Sequence, residues 1–161
     1  GSIRVMAQKI GGDIKRDNSV DDLIALEYKL GLDRVDTLSR FNARINTIRD
    51  RLQKLIYSLK KEGKIIAGFG APTKATTLMA HFGLDETMLD FIVDDNPLKQ
   101  GLFSPITHIP VLSAEALYDQ KPDYLLILAW NFSKPIMKMH EKYSNEIGKF
   151  IIPMPEPKVV S

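Results

Sequence analysis

The residues best suited to chemistry lie in Ile65-Ile66-Ala67-Gly68-Phe69-Gly70-Ala71-Pro72-Thr73-Lys74-Ala75-Thr76-Thr77-Leu78. An apolar run, two glycines and a helix-forming stretch read as a strand, a tight turn and a helix start. That junction is where α/β proteins hold phosphates and nucleotides. Gly68 permits backbone angles closed to other residues, and Gly70 lets the main chain approach a ligand. The N–H groups that open the Thr73 helix lack helical partners, and Lys74 adds a positive charge beside them. Together these suit a phosphate or pyrophosphate. Thr73 stands where G-x-G-x-x-G needs its third glycine, and the Walker spacing is absent. The plain alternative is a strand–helix turn that binds nothing.

Asp94 and Asp95 follow about 25 residues later, at the end of the next apolar run, where a carboxylate can accept hydrogen bonds from ribose hydroxyls. Asp-Asn-Pro also favours a turn that needs no ligand. Trp130-Asn131 closes the long apolar run from Tyr124. In the usual doubly wound order that strand is the neighbour of the glycine-turn strand, and the crevice between their loops is the switch point that binds ligands. Trp130 then offers a stacking surface and Asn131 a hydrogen-bonding group, with core packing the alternative for Trp130. The histidines are His81, His108 and His140, and their spacing matches no metal motif. His81 and His140 fall late in expected helices, as capping or surface groups. His108 precedes a strand and reaches the ligand edge only if its loop folds back. No Ser-His-Asp set or carboxylate pair can be argued.

The elements that position these residues follow from periodicity. Ile3 to Ile10 alternates apolar and polar residues, the signature of a half-buried strand, and Gly11 to Ser19 reads as a linker. Ser19 is placed to cap a helix to about Leu30, with Asp21 and Asp22 in its first turn and Gly31 at its end. A second helix follows Asp33 and ends near Gly63. Its apolar residues Leu38, Phe41, Ile45, Ile48, Leu52, Leu55 and Leu59 alternate three and four residues apart, a narrow seam. The basic residues off the seam suit a solvated face on a packing helix; a dimer or inter-domain helix is the other reading. Then come strands at Lys64–Ala67, Leu89–Val93, Ile109–Val111, Tyr124–Trp130 and Lys149–Ile152. Helices are expected at Thr73–His81, Ser113–Tyr118 and Lys134–Tyr143. Pro153, Pro155 and Pro157 stop regular structure. Strands alternating with short helices imply an α/β fold, a three-layer parallel sheet of about five strands.

The chain has 161 residues, 44% hydrophobic and 26% charged, enough for a domain with a core. A net charge of +2 gives no basis for nucleic-acid or anionic-membrane binding. With no cysteine there is no disulfide, thiolate nucleophile or cysteine-ligated zinc. No apolar run approaches the roughly 20 residues that span a bilayer. There is no signal peptide, and a reducing, cytoplasmic setting is expected. Gly1-Ser2 reads as a cloning remnant, and the chain as a fragment.

Several segments together resemble the C-terminal domain of sugar C-methyltransferases: Gly68 to Lys74, Val93 to Gly101, Thr107 to Val111, Trp130-Asn131 and Ile151 to Pro155. They occur in the family's order and cover roughly residues 3 to 157. Thr73 and Ala75 depart from it by standing where a small residue, often glycine, is expected. The family uses S-adenosylmethionine to methylate carbon 3 of nucleotide-linked 4-keto-deoxysugars. The resemblance implies a Rossmann-like domain at 63–161, a helical lead-in at 19–62, and at 1–18 the tail of a preceding methyltransferase domain with its linker. It places S-adenosylmethionine, zinc and the catalytic residues in upstream domains, with no cofactor bound by this chain, which is then inactive alone. For this chain it implies substrate contacts from Gly68, Phe69, Gly70, Ala71, Pro72, Lys74, Asp94, His108, Trp130 and Asn131. The partners are a nucleotide-linked sugar, the preceding domain and, through the Leu38–Leu59 helix, a second copy. Two other readings stay open: a free-standing nucleotide- or coenzyme-binding module, and a helix-mediated assembly module.

Overall fold

A computed structural model describes residues 3–161, so the reading of Gly1-Ser2 lies outside the described residues. The chain divides into two compact units, Gly1–Asn42 and Ala43–Ser161.

The first unit holds α1 (Ser19–Leu30) and the start of α2 (Val35–Lys61). Ile3 to Ile10 forms no strand and is exposed, which corrects the expectation. Its alternation has no neighbouring strand among the described residues to complete a ladder, and unpaired strands do not persist in water. Helix α1 starts and stops where its sequence places it, with Asp21 and Asp22 in the first turn and Gly31 at the end. The cap differs. Asp17, not Ser19, supplies the carboxylate that accepts from the Ser19 N–H. No residue of α1 is buried.

The second unit is a three-layer sandwich around a six-stranded sheet of order β3-β2-β1-β4-β5-β6. The strands are β1 (Ile66–Phe69), β2 (Phe91–Val93), β3 (Val111–Leu112), β4 (Tyr124–Ile127), β5 (Lys149–Ile152) and β6 (Lys158–Val160). The first five are parallel and β6 runs antiparallel to β5. β6 was not expected after three prolines. They sit in the 153–157 connection, where a missing N–H breaks no ladder bond, and the chain turns back beyond them.

Side chains alternate between the two faces, as the strand period requires. Ile66, Ile92, Leu126 and Ile151 pack against α2 and against α3 (Thr73–Phe82). Ala67, Phe69, Leu125, Ile127 and Phe150 pack on the other face with α4 (Ala116–Asp119), α5 (Ser133–Met139) and α6 (Glu141–Glu146). Helix α4 is shorter than expected, and Glu115 rather than Ser113 stands at its N-cap, the Ser113 carbonyl taking the Ala116 N–H at 3.1 Å. The predicted helix from Lys134 to Tyr143 is broken at His140, whose φ of −107° and ψ of 31° end α5.

The seam of α2 divides. Ile48, Leu52 and Leu59 are buried with Ile56, whereas Leu38 and Phe41 are exposed. The second half is therefore a packing helix, and the full seam is not free to pair with a second copy. Ile56 was missed because the three-four pattern is narrower than the stripe a sheet covers.

Leu52 is fully buried in this core. Leu52→Ala is expected to cost about 2–5 kcal/mol, from lost burial plus the cavity left behind. Urea unfolding followed by circular dichroism reads it; a cost under about 1 kcal/mol would mean that α2 is not packed on the sheet.

Candidate functional site

Strand β1 pairs with β2 on one side and β4 on the other. Its C-terminal end is thus the point where the strand order reverses, and Gly70, Asp94 and Trp130 lie on that edge as expected. The turn after β1 is built by hydrogen bonds to β2. The Gly70 N–H donates to the Val93 carbonyl at 2.7 Å, and the Ala71 N–H to Asp94 Oδ2 at 2.6 Å. Gly70 has φ +87°, and a Cβ there would stand 3.0 Å from Ala129 Cβ. Gly68 corrects the reading of its backbone: it has no positive φ and lies inside β1. Its missing side chain instead makes room for Leu128, whose Cδ1 would lie 2.8 Å from an added Cβ.

Pro72 has no N–H and precedes α3 in extended conformation. Of the groups opening α3, the Thr73 and Lys74 N–H have no protein acceptor among the described residues. These are the two left pointing outward with the positive end of the helix dipole. Lys74 makes no ion pair among the described residues; its ammonium lies 5.2 Å from the Trp130 ring centroid and 5.4 Å from that of Phe132. Two aromatic faces thus hold a cation at the mouth of the crevice.

Trp130 does not end β4, which stops at Ile127; it opens a 3-10 turn, Trp130–Phe132. The Leu128 and Ala129 N–H both turn to the Phe69 carbonyl, at 3.0 and 3.3 Å, and the ladder ends there. Trp130 is half-buried against the α2–α3 core, and Asn131 and Phe132 are exposed. Phe132, which the sequence reading passed over, is detectable only as an aromatic two residues beyond Trp130.

Asp94 is 7% exposed and fully engaged. Besides Ala71, it accepts from the Asn96 N–H at 2.9 Å and from Lys99 Nζ at 3.1 Å. Burial opposes its ionisation, but the Ala71 and Asn96 N–H groups and the Lys99 ammonium outweigh it and hold the carboxyl below the usual carboxylate range.

Other expected residues lie elsewhere. Phe69 is buried in the core, its ring 4.8 Å from that of His140. His108, with φ +51°, sits in the tip of a hairpin-like loop, where Ser104 N donates to the Ile109 carbonyl and His108 N to that of Ser104. That tip precedes β3, and Ser104, whose carbonyl takes the His108 N–H, lines a cavity together with Ala71 and Pro72. His140 is no surface group: it is 6% exposed, and neither ring nitrogen has a partner among the described residues. Burial lowers its pKa, against the opposing charge of Asp95. No group of three or more His, Cys, Asp or Glu among the described residues could hold a metal ion.

Between α3, β2, β3 and the loop after Asn96 lies a cavity of about 270 Å³. Its walls include Thr76 and Met79 of α3, Ile92, Val111 and Phe103, with Lys99 at its rim. It adjoins the glycine turn through Ala71 and Pro72, and nothing in the sequence reading anticipated it.

Asp94→Asn is expected to cost about 1–3 kcal/mol at pH 7, because the Ala71 N–H is shared with an acceptor that has lost its charge. The Asp94 carboxyl is depressed in the fold, so its contribution is complete above about pH 3.9 and is lost as pH falls through the folded value. His140 acts in a separate window. Its stabilising effect as a neutral ring is complete above about pH 6.5 and declines on acidification from there. Denaturant midpoints measured from pH 8 to 3 should lose the upper limb in His140→Leu and the lower one in Asp94→Asn. Unchanged profiles would contradict both assignments.

Residues 1–155 match the family described as C-methyltransferase C-terminal domain. The chain is also 35% identical over 161 residues to the C-methyltransferase NovU of Streptomyces niveus. That alignment covers all of this chain and 38% of the relative, so the chain spans well under half of the length of the curated protein that it matches.

Proposed function

The chain belongs to the C-methyltransferase C-terminal domain family, and on that premise we propose that it binds a nucleotide-linked 4-keto-deoxysugar for a sugar C-methyltransferase and is inactive alone. In this reading S-adenosylmethionine supplies the methyl group from a preceding domain, which also carries the zinc and the catalytic base. The setting is cytoplasmic; among the described residues no helix is long and apolar enough to cross a membrane.

The observation that carries the proposal is Lys74. A cation with no carboxylate partner among the described residues stands beside two outward N–H groups, between two aromatic rings, at the switch point of the sheet. A diphosphate takes up that combination: oxygens accept from the Thr73 and Lys74 N–H, and the ammonium adds charge. Asp94 acts as a positioning residue, holding the Ala71 N–H and with it the turn. Gly70 keeps the turn tight, while Ala71 and Pro72 line its flank. Exposed Asn131 and Phe132 are left to meet the sugar. Binding the nucleotide end firmly lets remote contacts orient carbon 3 for a reaction carried out elsewhere. The unburied apolar residues of α1 are assigned to contact with the preceding domain.

Isothermal titration of the 161-residue chain with a nucleoside diphosphate sugar tests this. Lys74→Ala should weaken binding about 10-fold or more, as for loss of a charged hydrogen bond, and the loss should shrink between 0.05 and 0.5 M salt. Trp130→Ala should also weaken binding, with little dependence on salt. No binding at millimolar ligand, or full affinity in Lys74→Ala, would overturn the proposal.

A further inference from the structure

We infer that the tip of the 101–111 hairpin, with Ile106 at its point, is a docking knob that fits an apolar hollow in the part of the protein that precedes this chain. This rests on the reading above that a further domain precedes, and it names a surface for that contact.

The backbone is the first argument. The hairpin is closed by the Gly101 N–H to the Val111 carbonyl, the Val111 N–H to that of Leu102 and the Ser104 N–H to that of Ile109, each at 2.8 Å. At the tip the Thr107 N–H reaches back two residues to the Pro105 carbonyl, also at 2.8 Å, around Ile106 at φ +71°. A three-residue turn with that sign of φ is a rare and strained form. A β-branched side chain is among the least suited to it. Glycine holds a positive φ without strain, and this chain places glycine at such φ elsewhere, Gly101 at the base of the same hairpin included.

Exposure is the second. Ile106 is 71% exposed, so burial within this chain offsets little of that strain. Ser104 and Pro105 line the cavity beside α3, but Ile106 is not among its walls. The tip is nevertheless held firmly: the buried Ser104 Oγ bonds Thr107 Oγ1 at 2.7 Å and accepts from the Ile109 N–H at 2.9 Å. A strained, exposed isoleucine on a fixed base is a side chain presented to something outside the domain. Charge says what kind of surface receives it. No Asp, Glu, Lys or Arg occurs from Gln100 to Ala114, so the tip matches an apolar hollow and not a charged one.

The occupant follows from length. The matched family is described as a C-terminal domain, and the chain covers 38% of its relative, so the greater part of that relative lies ahead of the matched region. Residues 3–18 form no helix or strand; at about 3.3–3.6 Å per residue they extend to roughly 50 Å. That exceeds the width of a domain whose radius of gyration is about 14 Å, so what precedes can reach the hairpin. A short tether also holds a partner at about millimolar effective concentration, where one apolar knob suffices. A free partner or a second copy would need an interface of about 1,000 Å².

The test is hydroxyl-radical footprinting of the full-length protein beside the 161-residue chain, both without ligand. Ile106 should be labelled in the shorter chain and lose its labelling in the longer one. Ile106→Gly should raise the urea midpoint of the 161-residue chain, because it relieves the turn, yet return labelling to the exposed Pro105 and His108 in the full-length protein; Ile106→Val should keep them protected. Equal labelling of Ile106 in both lengths overturns the inference, as does a lowered midpoint in Ile106→Gly. Protection that grows with the concentration of the 161-residue chain assigns the knob to a second copy, and protection on adding a nucleoside diphosphate sugar assigns it to the ligand; either overturns the inference. Titration of the 161-residue chain with that sugar decides the proposed function separately.

Discussion

A single carboxylate fixes the edge that carries the candidate site. Asp94 directly follows β2, and its Oδ2 takes the Ala71 N–H from the turn after β1. The same oxygen meets Lys99, and Oδ1 takes the Asn96 N–H. Three donors from two segments thus converge on one buried charge, and a buried charge must be satisfied by its surroundings. The consequence for the turn is specific. With the Gly70 and Ala71 N–H groups committed to β2, and Pro72 without one, only Thr73 and Lys74 are left to face outward. The donors that the glycine turn leaves without a protein acceptor among the described residues are thus those of the first residues of α3.

The same device recurs at the other end of β1. Asp90 accepts from the Ile66 N–H at 2.8 Å and binds Lys60 of α2, while Asp123 accepts from the Ile65 N–H at 2.9 Å and pairs with Lys64. Carboxylates that precede the two neighbouring strands hold the first N–H groups of the central strand. For Ile66, which is fully buried, the bond satisfies a donor that burial would otherwise leave unpaired. They set the height of β1 in the sheet, and with it the position of the Gly70 turn relative to Asp94 and Trp130. The two aromatics around Lys74 complete the edge from the β4 side.

Much of this was legible beforehand, for identifiable reasons. The apolar runs at Ile66, Phe91, Tyr124 and Phe150 have to be strands covered on both faces, and the short helices between them force parallel pairing. Parallel pairing in turn puts Gly70, Asp94 and Trp130 on one edge. The errors also share a cause. Ile3 to Ile10 has the strand pattern but no neighbour among the described residues. Trp130 continues an apolar run that ends as a ladder once two N–H groups converge on Phe69. His140 lies in a stretch that reads as one helix, and the break there turns its ring into the core. In each case a local pattern is overruled by what stands beside it.

The sequence by itself determined the class of the fold, the order of its elements, the chemical character of the glycine turn, and the family, because these rest on periodicity and on residue types at short spacing. The tertiary structure decided which groups remain free to act. It assigned the Asp94 carboxylate to the protein's own backbone, buried Phe69 in the core, brought Phe132 to Lys74, and opened a cavity between α3 and a loop some 30 residues away. Those outcomes depend on pairing and packing between distant segments. Hydrogen bonds already committed and space left unfilled are properties of an arrangement, and no stretch of sequence carries them alone.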